Sequence, residues 1–248
     1  RVFDSSFPEA HINIHYKAES ECFKDLLNEK ARLILVTRQL LDSEKPLYEH
    51  KKILTQSLEL AQDAVAVIVN PTAEDSMLSV SQIEGILTGQ YKKKYTVVFD
   101  NQGSSTLRFI TDSLLKKEKL GPNVYAAKGN DSVVDYVSKN PDAIGFIGVS
   151  YISDYSDPNT KHFLQKVKVA SVMNDSSLQF YQPYQMYIGL KFYPFTRKLY
   201  FILNEPSPRL GTAFVNFLAK ERGQLIFKTS GLVPMRVSVV FREANINK

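Results

Sequence analysis

The 248-residue chain carries a single cysteine, Cys22. One thiol excludes a disulfide framework and any cysteine-rich zinc module. No stretch approaches the ~20 consecutive apolar residues that a bilayer-spanning helix needs. Glycine and proline, 11 of each, are too few for a low-complexity chain. There is no H-E-x-x-H, no P-loop and no G-x-S-x-G nucleophile elbow, so three familiar routes to zinc, nucleotide and acyl chemistry are missing. No leader peptide stands at Arg1, so the sequence reads as cytosolic or as a mature or trimmed product.

What is present is an ordinary globular balance, 44% hydrophobic and 23% charged, with 31 Lys+Arg against 26 Asp+Glu for a net charge of +5. The length suggests two lobes or one large domain. The positive charge is dispersed. Its densest clusters are Lys92-Lys93-Lys94, in a turn after Gly89, and Lys116-Lys117-Glu118-Lys119, at a predicted helix end where cations suit the dipole. A solvated basic face accounts for them, and no nucleic-acid partner is expected.

Short apolar segments alternate with amphipathic ones. Ile12, Ile14 and Tyr16 alternate with His11, Asn13 and His15, the period of a half-buried strand. Further strands are expected at Arg32–Val36, Ala64–Val69, Thr96–Phe99, Ala143–Gly148 and Leu199–Leu203. Helical faces follow at Phe23, Leu26 and Leu27; at Leu107, Ile110, Leu114 and Leu115; at Val133, Val134 and Val137; and at Phe214, Phe217 and Leu218. Ser79 and Gln82 form a capping box for a helix that Gly89 ends. Asn130 or Asp131 is the expected cap of the helix after it. The alternation predicts an α/β fold with a mostly parallel sheet.

Few residues suggest chemistry. His11 and His15 would lie on one strand face about 13 Å apart at ~3.3 Å per residue, too far to share a metal ion, so no metal site is expected. Cys22 follows Glu21, whose charge would raise the thiol pKa, so a packed thiol is expected rather than a reactive one. The most informative segment is Gly103-Ser104-Ser105-Thr106, between a strand and a helix. Free backbone N–H groups, hydroxyls and the helix dipole suit an oxyanion there, although simple helix capping would use the same residues. Thr37-Arg38 ends a strand, where an arginine either points into a ligand crevice or makes a surface or interlobe salt bridge.

Taken in order, several segments resemble the PstS-like phosphate-binding proteins of bacterial ABC importers. Phe7-Pro8-Glu9-Ala10 and Ile12–Tyr16 are similar to that family's early FxxxYP stretch and second strand. Ala31–Arg38 resembles its segment ending in Ser-Arg. Ala66–Pro71 with Leu78–Gly89 resembles AVVVNP…LTxxQLxxIFTG. Gly103–Thr106 resembles the Gly-Ser-Gly-Thr anion turn, and Ala143–Gly148 resembles AIGYVG. Tyr193–Tyr200, Gly223-Gln224 and Gly231–Pro234 resemble the family's ending. The resemblance covers nearly the whole chain.

It implies a two-lobed type II periplasmic-binding-protein fold with its cleft between lobes. One lobe would be built from 1–66 and 198–248, the other from 67–197, with strands near Val67 and Leu199 crossing the hinge. It implies capture of a small oxyanion, phosphate first, for delivery to an ABC importer permease, in the periplasm or at the cell surface. The alternative is a sensor or scaffold of the same fold that binds another ligand or none. A transferase using Ser104 or Thr106 lacks a suitable general base nearby in sequence. No catalytic residue and no cofactor is assigned. The implied ligand set is Thr37, Arg38, Gly103, Ser104, Ser105, Thr106, Glu19 and Ser20.

The chain departs from the family pattern at three places. The family's first strand and anion-binding loop precede the point where this sequence begins, so the native product is expected to extend upstream of Arg1, a lipid anchor included as one option. Without that strand, two sheet edges would face a gap and the anion would be incompletely ligated. The early Gly-Ser-Gly turn corresponds to Ala18-Glu19-Ser20, and Asp100-Asn101-Gln102 stands where an arginine often precedes the anion turn. Glu19 or Asp100 could accept the proton that phosphate keeps near neutral pH and sulfate lacks; either could equally cap a helix or face water.

Overall fold

The computed structural model describes residues 2–116, 118–154 and 157–235. Lys117 of the second basic cluster and the last part of the expected return segment, 236–248, lie outside the described residues. The strands are β1 (Leu33–Val36), β2 (Gln56–Val69), β3 (Met77–Leu78), β4 (Thr96–Phe99), β5 (Val124–Ala126), β6 (Ala143–Gly148), β7 (Lys168–Val169), β8 (Ser171–Asn174), β9 (Gln179–Tyr181), β10 (Thr196–Leu203) and β11 (Val233–Pro234). The helices are α1 (Val2–Ser6), α2 (Glu19–Leu27), α3 (Lys45–His50), α4 (Val80–Thr88), α5 (Ser105–Ile110), α6 (Asn130–Lys139), α7 (Ser150–Ser153), α8 (Pro158–Lys166), α9 (Gln185–Gly189), α10 (Leu210–Ala219) and α11 (Glu221–Thr229). A π-helical turn, Thr111–Leu115, prolongs α5.

The main sheet runs β1-β10-β2-β6-β4-β5. Strand β2 organises it. Its first part, Gln56–Ala64, pairs antiparallel with β10, and its second part, Val65–Val69, pairs antiparallel with β6. Residues 64 to 69 are all buried, which is why their sequence reads as one continuous apolar run rather than an alternation. The expectation of a mostly parallel sheet is corrected here. Among the described residues only β4 with β5 and β4 with β6 run parallel in the main sheet, because long strands β2 and β10 lie side by side in opposite directions through its centre.

Apolar side chains gather in three clusters. The largest includes Val65–Val69, Ile83, Val97, Phe99, Ile110, Val133, Val137, Phe146 and Tyr193. Phe99 and Phe146 stack at 4.8 Å between centroids, joining β4 to β6. A second cluster holds Phe3, Leu60, Phe201, Phe217 and Leu218, and a third holds Phe23, Leu26, Ile34, Val36, Tyr48 and Ile202. Clusters two and three lie on β1, β10 and the first part of β2; cluster one lies on the second part of β2 and on β4 and β6.

Local signals hold well at α4. Ser79 Oγ accepts from the Gln82 N–H at 3.1 Å, and Gln82 Oε1 accepts from the Ser79 N–H at 2.8 Å. Gly89 closes the helix at φ +77°, a left-handed conformation that costs a side-chain-bearing residue more. At α6 the cap is Gly129 rather than Asn130 or Asp131, and Asn130 is the first helical residue.

The strand expected at Ile12–Tyr16 is absent: residues 10–18 carry no regular structure, with Ile14 63% and Tyr16 94% exposed. The alternating pattern needs a ladder partner, and among the described strands β1 pairs with β10 alone. His11 and His15 therefore share no strand face.

Candidate functional site

Cluster three and cluster one meet at the N-terminal end of α2, the end of β1 and the start of α5. A cavity of about 120 Å³ opens there, lined by Lys17, Ala18, Glu19, Cys22, Leu35, Val36, Thr37, Asp100, Asn101, Ser104 and Ser105. Each element arrives for a local reason. The Phe23 and Leu26 face holds α2 on β1. Ser104 is the N-cap of α5: its Oγ accepts from the Leu107 N–H at 3.1 Å, which fixes the turn and aims the helix start at the cavity. The Gly103 N–H donates to Asn101 Oδ1 at 3.1 Å, tightening the same turn.

The two sides touch directly. The Ser20 N–H points to the Gly103 carbonyl at 3.4 Å. A Cβ on Gly103 would lie 2.5 Å from Ser20 Oγ and 3.3 Å from Ala18 Cβ, so a side chain there would make Ser20 rotate and would crowd Ala18.

Glu19 makes the tightest crossing. Its Oε1 accepts from the Thr37 N–H at 2.6 Å and the Thr37 hydroxyl at 2.8 Å; its Oε2 accepts from Arg108 Nε at 2.6 Å. Arg108 Nη2 also donates to Thr37 Oγ1 at 2.8 Å. Burial pushes the Glu19 carboxyl up, but the Arg108 guanidinium and the two Thr37 donors together outweigh it and hold the carboxyl below its ordinary value.

A second guanidinium approaches from the sheet. Arg197 on β10 pairs with Asp63 on β2, Nε to Oδ2 at 2.7 Å, and its Nη1 donates to Ser105 Oγ at 3.2 Å. Asp100 Oδ1 is buried and has no hydrogen-bond partner among the described residues, while Oδ2 accepts from Asn101 Nδ2 at 3.3 Å.

Of the residues expected at the site, Glu19, Thr37, Ser104 and Ser105 line the cavity, and Asp100 does too. Ser20 and Gly103 form its contact seam, and Thr106 is buried behind the turn. Arg38 lies elsewhere. Its Nη1 and Nη2 bind Glu44 at 2.7 and 2.8 Å, and its Cζ sits 3.8 Å from the Phe23 ring centroid. A bidentate carboxylate pair and a cation–π contact together fix it away from the cavity. Arg108 and Arg197 were not legible as site residues. Arg108 looks like one more charge on a helix face, and nothing near position 197 points to Asp63 or Ser105. Cys22 is half-buried, and burial followed by the Asp25, Glu19 and Glu21 charges raises its thiol pKa. Among the described residues no group of three or more His, Cys, Asp or Glu could hold a metal ion.

A sheet threaded by two long strands, with its cleft at helix starts and strand ends, is the architecture of a type II periplasmic binding protein. The chain belongs to the PBP superfamily: the model described as PBP superfamily domain matches residues 1–222. It is 24% identical over 259 residues to the phosphate-binding protein PstS of Pseudomonas aeruginosa, an alignment covering 94% of this chain and 77% of that one. Among solved structures it is similar to one from Clostridium perfringens, assigned as a phosphate ABC transporter substrate-binding protein and solved with bound phosphate. That likeness has a TM-score of 0.76 at 21% identity and covers 95% of this chain and 92% of the other. An ABC-type phosphate transport receptor from Vibrio cholerae matches with a TM-score of 0.69 at 19% identity, over 94% and 91% of the two chains.

Proposed function

We propose that this chain captures a small oxyanion, phosphate first, and presents it to the permease of an ABC importer in the periplasm or at the cell surface. The observation that carries the reading is the donor set at one cavity. Ser104 and Ser105 open a helix there, Thr37 ends a strand, and the Arg108 and Arg197 guanidinium groups stand directly behind them. Among the described residues Ser104 Oγ and Ser105 Oγ act as acceptors, which leaves each O–H to donate to a ligand. The relatives named for phosphate binding support the same ligand. We take the lobes to be 1–66 with 198–248, and 67–197. The reading involves capture alone, with no bond broken and no catalytic residue. No described helix is long and apolar enough to cross a membrane.

Asp100 supplies selectivity in this account. Its Oδ1 is a buried acceptor with no partner among the described residues. Phosphate near neutral pH still carries a proton to donate there, whereas fully ionised sulfate would meet the carboxylate without one. Calorimetric titration with phosphate and with sulfate tests this. The wild-type chain should prefer phosphate, and Asp100→Asn should narrow the ratio by about tenfold, the loss of roughly one charge-assisted hydrogen bond. An unchanged ratio removes Asp100 from the recognition step.

A second reading, a sensor or scaffold that keeps the fold without binding phosphate, is favoured by one observation. The Thr37 and Arg108 donors are already engaged by Glu19.

A further inference from the structure

We propose that Glu19 is a built-in competitor for the oxyanion: its carboxylate rests on the Thr37 and Arg108 donors, and an incoming anion must displace it. The inference rests on the oxyanion-capture reading above and gives that site a regulated affinity.

Glu19 does not behave as an ordinary helix cap. It is the first residue of α2, yet its carboxylate turns to the end of β1 and across to α5. It is only 7% exposed. Both lone-pair directions of Oε1 are taken by the Thr37 N–H and hydroxyl, and Oε2 holds Arg108 Nε. A backbone amide, a hydroxyl and a guanidinium converging on one carboxylate is the donor set that a tetrahedral oxyanion would use. The carboxylate also lines the same cavity as Ser104 and Ser105, so its seat is continuous with theirs.

Each nitrogen of Arg108 is already engaged, Nε by Glu19, Nη1 by Asp112 Oδ2 at 3.3 Å and Nη2 by Thr37, so an anion entering beside Glu19 would meet its carboxylate on a guanidinium that already serves two carboxylates. The ligand gains Thr37 and Arg108 only when Glu19 swings out. Wild-type affinity is therefore the difference between two anions competing for one set of donors.

Titration of the full chain with inorganic phosphate tests the inference. Glu19→Ala and Glu19→Gln, each shown by a cooperative melt to be folded, should bind phosphate tenfold or more tightly than the wild type. Equal or weaker binding by the folded variants, with the wild type still binding, overturns the inference and leaves oxyanion capture standing. Absence of phosphate binding in wild type and folded variants alike overturns oxyanion capture itself. The Arg108 Nε–H resonance of the wild-type chain gives an answer that needs no variant. Displacement of Glu19 moves that signal during the titration; saturation by phosphate with the signal unmoved overturns the inference.

Discussion

The Asp63–Arg197 pair sits where β2 and β10 pass from one apolar cluster to the next, with side chains only 10% and 6% exposed. Truncating Asp63 to alanine leaves a buried guanidinium whose remaining side-chain hydrogen bond among the described residues goes to Ser105 Oγ at 3.2 Å. Breaking a buried ion pair from one side costs about 3–5 kcal/mol, because the surviving charge keeps its desolvation penalty and loses its partner. The Ser105 bond offsets a little of that, so the expected loss lies near the lower end, about 3 kcal/mol. For a chain of this size each kcal/mol moves the melting temperature by roughly 2–4 °C, so the midpoint should fall by roughly 6–12 °C. Urea unfolding followed by circular dichroism measures the free energy directly. The double replacement Asp63→Leu with Arg197→Met should lose far less than Asp63→Ala, since both charges leave together. If Asp63→Ala costs under about 1 kcal/mol, the pair is wetter than the structure shows and the reasoning fails.

Three further predictions follow from particular contacts. Glu19 has a lowered carboxyl pKa, so its stabilisation is fully present above the ordinary glutamate value and is lost as pH falls through the lower folded value. Urea unfolding across the acidic range should show a smaller decline for Glu19→Gln than for the wild type, and parallel curves would contradict this. A Cβ on Gly145 would lie 2.7 Å from Val133 Cγ1 and 2.9 Å from Ile68 Cγ1, so Gly145→Ala should destabilise by about 1–3 kcal/mol in the same assay. Glu205 accepts from the Gly211 and Thr212 N–H groups, both at 2.9 Å, at the start of α10. Glu205→Ala should cost about 1.5–3 kcal/mol, with a loss under 0.5 kcal/mol showing the cap to be idle.

Much of the frame was legible because it is written in local pattern. The capping box at Ser79 and Gln82, the stop at Gly89 and the buried run through Val69 are short-range signals, and the structure uses each as read. Alternation misled at Ile12–Tyr16, since periodicity reports what a strand would look like and is silent on whether a neighbour is there to pair with it. The resemblance placed Glu19, Thr37, Ser104 and Ser105 at one cleft, and the structure brings them together. Side-chain commitments were not legible. Arg38 had two plausible fates, and Glu44 with Phe23 settled the one that faces away. Arg108 reaches Glu19 across 89 positions and Arg197 reaches Asp63 across 134. Such partners are set by tertiary packing and leave no spacing signal.

The central claim is that an oxyanion binds in the cavity between α2 and the start of α5. A crystal structure of the chain grown in phosphate tests it most directly. The account predicts one phosphate within hydrogen-bond distance of Ser104, Ser105 and Thr37, with Glu19 turned away from Arg108. An ordered phosphate bound only elsewhere, or a cavity holding water while Glu19 stays on Thr37 and Arg108 at saturating phosphate, would contradict it.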